Sequence, residues 1–321
     1  MKLLHRCTQA AAAACLALAA TAAWAWPDKT VTIVVPYPAG GATDVIARLV
    51  AEKLPSVWKQ SVVIDNRPGA GTTIAAEQVS RAPGDGYTLY MTTAAHTISA
   101  SLYKKLNYDP IGDFAPVTLT STIPLVLVTT PGLPAKDLPG LIELAKQGQG
   151  LTMASTGNGT PQHLTGELFK ARTGAKLVHV PYRGDSPMIT DLIGGQVQMA
   201  FVTLSAALPH IQSGKLKAIA LAHASRVPAI SQVPTFDEAG MPGFQAATWF
   251  GLFAPASMPQ DLRERIYKDV SAIVAQPELT KRLQDMGGEV NNSSPADFTA
   301  FVQAEAKQWA EGVKLSGAQI D

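Results

Sequence analysis

"VVPYPAGGATD" occupies residues 34–44. The apolar run Val31–Val35 ends in a Pro-Tyr-Pro corner, two glycines follow, and Val45, Ile46, Leu49, Val50 and Leu54 then recur at helical spacing. The run reads as a buried strand and the stripe as one face of an amphipathic helix. No lysine or arginine follows the corner until Arg48. A helix beginning near Thr43 leaves its first N–H groups without intrahelical partners, and its dipole adds positive potential there. Bare backbone at Gly40-Gly41 therefore suits an anion. The same residues would equally make a tight turn in which Thr43 or Asp44 caps the helix.

The strand–turn–helix unit repeats along the chain. Candidate strands are Val62–Ile64, Thr88–Met91, Val117–Thr120, Leu125–Val128, Leu151–Ala154, Leu177–Val180, Val197–Val202, Leu216–Ala220 and Phe250–Ala254. They are rich in Val, Ile and Leu with little polar alternation, as expected of strands covered on both faces. Helical stripes fall between them: Leu164, Leu168 and Ala171, and near the end Phe298, Phe301, Val302 and Trp309. The alternation predicts an α/β protein with mostly parallel sheets flanked by helices. Ten strands in 321 residues suit two sheets better than one. Pro/Gly-rich breaks near Ile123-Pro124, with Pro131–Pro134 beyond, and at Gly240–Phe244 mark two crossovers. They divide the chain into residues 26–123 plus 249–321 as one domain and 124–248 as the other. A faint echo relates Val35-Pro36-Tyr37 with Gly40 and Asp44 to Val180-Pro181-Tyr182 with Gly184 and Asp191.

Residues 1–25 form a separate object. Lys2, His5 and Arg6 precede a nearly continuous apolar stretch from Ala10 to Ala23, and Ala23-Trp24-Ala25 gives a small-x-small cleavage pattern. This is the layout of a secretory signal peptide cut after Ala25, and an apolar stretch of about 14 residues is too short to span a bilayer. Both cysteines, Cys7 and Cys15, leave with it, so the mature chain has no disulfide, thiol nucleophile or Cys metal site. Losing Lys2 and Arg6 leaves 24 basic residues against 25 acidic ones. No basic stripe points to nucleic acid.

A second loop, "ASTGNGTPQHL" (154–164), again follows a strand and opens a helix. Thr160 suits the N-cap and Pro161 the first helical position. Ser155, Thr156 and Asn158 offer neutral hydrogen bonds beside Gly157 and Gly159. With one such loop in each domain, two helix N-termini would converge on one cleft, an arrangement fit for a ligand with a carboxylate at each end. A third glycine turn, "DNRPGAGTT" (65–73), reads as a βα corner. Nucleotide and catalytic signatures are missing: there is no G-x-x-x-x-G-K-[ST], no G-x-S-x-G and no H-E-x-x-H. His163, His179, His210 and His223 lack metal-ligand spacing. His96, in "TTAAHT" (92–97), ends a strand and is expected to face the cleft. Arg183-Gly184-Asp185 is a common tripeptide with no adhesion role read into it. No cofactor and no metal is expected.

These residues resemble the Bug-type substrate-binding proteins of tripartite tricarboxylate transporters, across essentially the whole mature chain. The markers are "PYPAGGATD" (36–44), "VIDNRPGAGTTIAAEQVSRAPGDGYTL" (63–89), "STGNGTPQHLTGELF" (155–169), "VPYRG" (180–184), "VPTFDEAG" (233–240) and "WFGLFAP" (249–255). The resemblance implies a two-domain, Venus-flytrap, monomeric periplasmic protein that holds a small carboxylate by hinge closure and hands it to membrane transporter subunits. It implies one wall from Tyr37, Ala39, Gly40, Gly41, Thr43 and Asp44, with Asp44 ordering the loop. The other wall would come from Ser155, Thr156, Gly157, Asn158, Gly159, Thr160 and His163, with Tyr182 and Arg183 closing the pocket; Thr203 is expected among the ligand-binding residues. Phe201-Val202-Thr203 stands where many relatives carry Phe-Asp-Asn or Phe-Asp-Pro, so no acid is expected in the pocket. That favours a plain di- or monocarboxylate, including an aromatic one, over an amino acid. Two other roles fit a cleft of this kind: presenting ligand to a sensor kinase, or an exported α/β hydrolase or isomerase.

Overall fold

A computed structural model describes residues 26–316; the signal-peptide reading lies outside them. Two mixed sheets share one long strand. In the first, β1 (Val31–Val35) pairs in parallel with β2 (Val62–Asn66) and β3 (Thr88–Thr92). In the second, β5 (Leu151–Ser155) pairs in parallel with β6 (Leu177–Pro181) and β7 (Met199–Thr203). The sixteen-residue β4 (Phe114–Thr129) joins them. Its first part runs antiparallel to β9 (Ala247–Pro255), from Phe114↔Pro255 to Pro124↔Ala247. Its last five residues pair antiparallel with β7, beginning at Leu125↔Thr203, and with β8 (Lys217–Leu221) on the other side. The short β10 (Glu289–Val290) borders the first sheet.

The sequence reading broke β4 into two strands at Ile123-Pro124. The structure keeps it whole because Pro124 stands on the last rung with β9, where the strand changes partners. There a missing N–H interrupts least. Two register shifts earlier in the strand, at Pro116/Thr118 and Leu119/Ser121, absorb its twist against β9. The sheets are less parallel than expected, since both crossovers enter as antiparallel strands.

The helices are α1 (Ala42–Trp58), α2 (Thr73–Ser80), α3 (Ala95–Leu102), α4 (Leu138–Lys146), α5 (Pro161–Thr173), α6 (Asp185–Ile193), α7 (Leu204–Gln212), α8 (Gln260–Val274), α9 (Pro277–Asp285) and α10 (Pro295–Ser316). They cover both faces of each sheet. One apolar cluster, including Ile33, Leu54, Val126, Val202 and Ile266, runs across both sheets. Phe169, Phe201, Phe236 and Phe244 pack the other face of the second sheet, and Tyr90, Phe114, Phe253 and Phe298 that of the first. The α10 stripe read from the sequence meets this last group: Phe298 is fully buried, and Trp249 and Trp309 both donate indole N–H bonds to Glu305 Oε2, at 2.8 and 3.0 Å. Among the described residues no helix is long and apolar enough to cross a membrane.

Candidate functional site

The first glycine loop links β1 to α1. Gly40 has φ +81°, a left-handed conformation that disfavours a side chain. Gly41 is the N-cap and supplies no side-chain cap, so the start of α1 presents bare amides. Asp44 organises this loop from within. Its Oδ2 accepts from the Gly40 N–H and Arg48 Nε, each at 2.9 Å, and its Oδ1 accepts from Asn66 Nδ2 at 2.9 Å. Burial alone would raise its pKa, but the Arg48, Gly40 and Asn66 bonds together hold it below the usual range.

The second loop links β5 to α5. Thr160 is its N-cap, with Oγ1 accepting from the His163 N–H at 3.4 Å, and Pro161 opens the helix. Thr156 Oγ1 donates to Gln162 Oε1 and Gln162 Nε2 donates to Thr203 Oγ1, each at 3.0 Å, which ties the loop to the end of β7. His163 stacks on His179 with ring centroids 4.0 Å apart. Burial pushes both imidazoles down to about 4, so both are neutral at pH 7. Neutral His163 can then accept from the Gly159 N–H at its Nδ1, 3.2 Å away. His179 Nε2 pairs with Ser155 Oγ at 2.7 Å.

The two loops face each other across two recesses. The first is bordered by Tyr37, Ala42, Thr43 and Thr93 from the first sheet's side, by Thr156, Gln162, Asp185 and Thr203 from the second's, and by Thr248 and Phe250 of β9. The starts of α1, α5, α6 and α7 all reach it. Tyr37 is buried, shares a 3.0 Å hydrogen bond with Thr93, and has its phenol pKa raised by that burial. The second recess lies between Pro36 and Tyr37, the turn Gly69–Thr72, and Thr156, Tyr182 and Arg183. Tyr182 donates to Asp191 Oδ2 at 2.7 Å, and Arg183 is exposed.

The side that includes Ala39 and Gly40 also touches the opposite lobe. Ser186 Oγ donates to the Ala39 carbonyl at 3.0 Å, and a side chain at Gly184 would strike Pro38. Asn158 is exposed, with its carbonyl against Gly71; a side chain at Gly159 would strike Leu102 of α3.

Three expectations need correction. His96 does not face the cleft. It is fully buried among Tyr90, Phe114 and Phe253, and neither ring nitrogen has a partner in bonding geometry. Burial lowers its pKa to about 4, against a weaker opposing pull from the Pro110 carbonyl. Thr93, the first residue after β3, reaches the recess instead, while His96 already points into the packed side of α3. The third glycine turn is more than a corner, since Gly69–Thr72 borders the second recess.

The pocket also holds an acid. Val202 is buried within β7, but Asp185, the first residue of α6, lies on the first recess and is only 6% exposed. Its Oδ2 accepts from the Ala42 N–H at 3.0 Å, across the cleft. Burial, only partly offset by that bond, raises its pKa to about 6. Sequence reading missed it because its partner is 143 residues away.

The sequence profile of the tripartite tricarboxylate transporter family receptor matches residues 46–317. Among solved structures, a Rhodopseudomonas palustris protein, Rpa4515, with adipate is 36% identical, with a TM-score of 0.88 over 92% of this chain and all of that one. The periplasmic binding protein BugD is 34% identical, with a TM-score of 0.88 over 92% of this chain and 99% of its own. MatC from Rhodopseudomonas palustris with bound malate is 34% identical, with a TM-score of 0.85 over 90% of this chain and all of that one. These bear out the resemblance read from the motifs and the two-domain periplasmic-binding-protein fold. The relatives are binding proteins, not enzymes.

Proposed function

The chain belongs to the tripartite tricarboxylate transporter receptor family of periplasmic solute-binding proteins, and from that premise we propose that it captures a small carboxylate between its two lobes and delivers it to the membrane subunits of such a transporter. The observation that carries this reading is the meeting of four helix N-termini at one recess between the sheets. Unpaired amides and helix dipoles there stabilise negative charge without a cationic side chain, by about 0.3–1 kcal/mol per interaction at exposed sites and more where water is excluded. The adipate and malate held by two relatives agree in chemical class.

In this reading residues 26–123 and 249–321 form one lobe and 124–248 the other. Tyr37, Gly41, Thr43, Thr156, Gln162 and Thr203 meet the ligand, while Asp44, Thr160 and His163 shape the loops that do so. Ligand favours the closed form because only there do both loops reach it at once. The protein is exported to the periplasm after cleavage behind Ala25 and works as a monomer.

The test is a thermal-shift panel on the mature protein: C3–C6 dicarboxylates, citrate, aromatic mono- and dicarboxylates, aspartate and glutamate. A ligand at a hundredfold excess over its Kd adds about 2.7 kcal/mol to native stability. A clear rise with one carboxylate supports the reading, and a flat response to all of them overturns it.

A further inference from the structure

Among the described residues, Asp185 is the one carboxylate bordering the first recess. One oxygen, Oδ2, is committed to the Ala42 N–H. The other, Oδ1, is buried and has no hydrogen-bond partner in the protein. Thr248 Oγ1, on β9 at the same recess, is likewise buried and unpartnered.

The surroundings supply no counter-charge. From α1 comes only the Ala42 amide. Arg48, on the same helix, is taken by Asp44, and Arg183 is exposed and lines the second recess. Tyr37, Gln162 and Thr203 are neutral, and the Asp185 charge helps to push the Tyr37 phenol further up. No ion pair to Asp185 occurs among the described residues, and burial leaves its pKa at about 6. A buried carboxylate without a cation is costly, and the group that relieves that cost best is a cation carrying N–H donors.

We propose that Asp185 selects, among small carboxylates, those that also carry an ammonium group, so that the ligand is an amino acid rather than a plain dicarboxylate. The inference rests on the carboxylate reading above. The ligand's ammonium donates one N–H to Asp185 Oδ1 and another to Thr248 Oγ1. Its carboxylate takes the first-turn amides that Asp185 leaves free. A plain dicarboxylate would bring a second anion beside Asp185 and could bind only by carrying in a proton.

Matched pairs test this by titration calorimetry: aspartate against succinate, and glutamate against glutarate, on the wild type and on Asp185→Asn. The wild type is expected to bind the amino member of at least one pair ten or more times more tightly, and Asp185→Asn to erase that preference. A second readout needs no variant. In two buffers of different ionisation enthalpy at pH 6, amino-acid binding should release protons from Asp185. Equal or tighter binding of the plain acids to the wild type, or a preference that survives Asp185→Asn, overturns the proposal while leaving the carboxylate reading intact. If no member of either pair and no other carboxylate binds, both fall together.

Discussion

Asp185 Oδ2 lies 3.0 Å from the Ala42 amide nitrogen, so the first residue of α6 occupies the anion position at the start of α1. The glycine loop that looked built for an anion is met by the protein's own carboxylate. Gly41 makes this approach possible: a Cβ there would stand 3.1 Å from Asp185 Oδ2. Gly41→Ala is therefore expected to loosen the contact between the lobes. Small-angle scattering should report a larger radius of gyration; an unchanged radius with unchanged melting would contradict the role given to this contact.

Asp185 should tax stability at neutral pH. Its folded pKa, about 6, lies above that of an unfolded aspartate. The folded state thus holds the proton more tightly, and stability present at low pH is lost as pH rises from about 4 to about 6. The loss is on the order of 2–3 kcal/mol. Asp185→Asn keeps an acceptor for the Ala42 N–H and removes the charge. It should melt higher than the wild type at pH 7 and like it at pH 4. A variant that melts lower at pH 7 would contradict this.

The stacked histidines act in the opposite sense. His163 and His179 have folded pKa values near 4, below that of an unfolded histidine. The stability they contribute is complete above about pH 6.5 and is lost as pH falls towards 4. Nitrogen chemical shifts of both rings should report neutral imidazole at pH 5.5, and His179→Gln should flatten the acid side of the stability profile. A ring titrating near 6.5 would sink this reading.

Glu305 carries two indole N–H bonds, one from β9 through Trp249 and one from its own helix through Trp309. Glu305→Ala strands both donors, and Trp249 is buried. A loss of about 1–3 kcal/mol is expected for an unpaired buried donor. Urea unfolding measures it, and a loss below 0.5 kcal/mol would show that water replaces the carboxylate.

Backbone strain at Gly40 gives a further check. With φ at +81°, a valine there is forced into a conformation that costs β-branched residues about 1–2 kcal/mol or more. A Cβ has room, since its nearest contact would be Ser186 Oγ at 3.6 Å. Gly40→Val should thus retain the fold, with a far-ultraviolet dichroism spectrum like that of the wild type, but lose carboxylate affinity at least tenfold. Unchanged affinity would detach the loop from binding.

What could be read from the chain was local. Thr160 and Pro161 announce a helix start by their own chemistry, and both stand where expected. The stripe of Phe298, Phe301, Val302 and Trp309 needed only helical periodicity. Pro124 misled because proline usually ends a strand, and only the partner exchange at that rung explains its place. His96 misled because a strand end points to the cleft for one residue, and the next turn of helix carries the chain back into the core. Asp185 and the Gly69–Thr72 turn were missed because their neighbours belong to distant parts of the sequence. No window along the chain displays a contact between residues 42 and 185.

The pairing of Pro124 with Ala247 has a consequence for how the chain could be cut and rejoined. Directly opposed residues in an antiparallel ladder stand only about 5 Å apart. The whole stretch 125–246 therefore leaves and re-enters the first sheet at a single point, like an inserted cassette. A hairpin turn of about two residues could bridge that point. The remaining chain would keep the first part of β4 and β9 side by side with β1, β2 and β3, a lobe assembled from the two segments that flank the cassette.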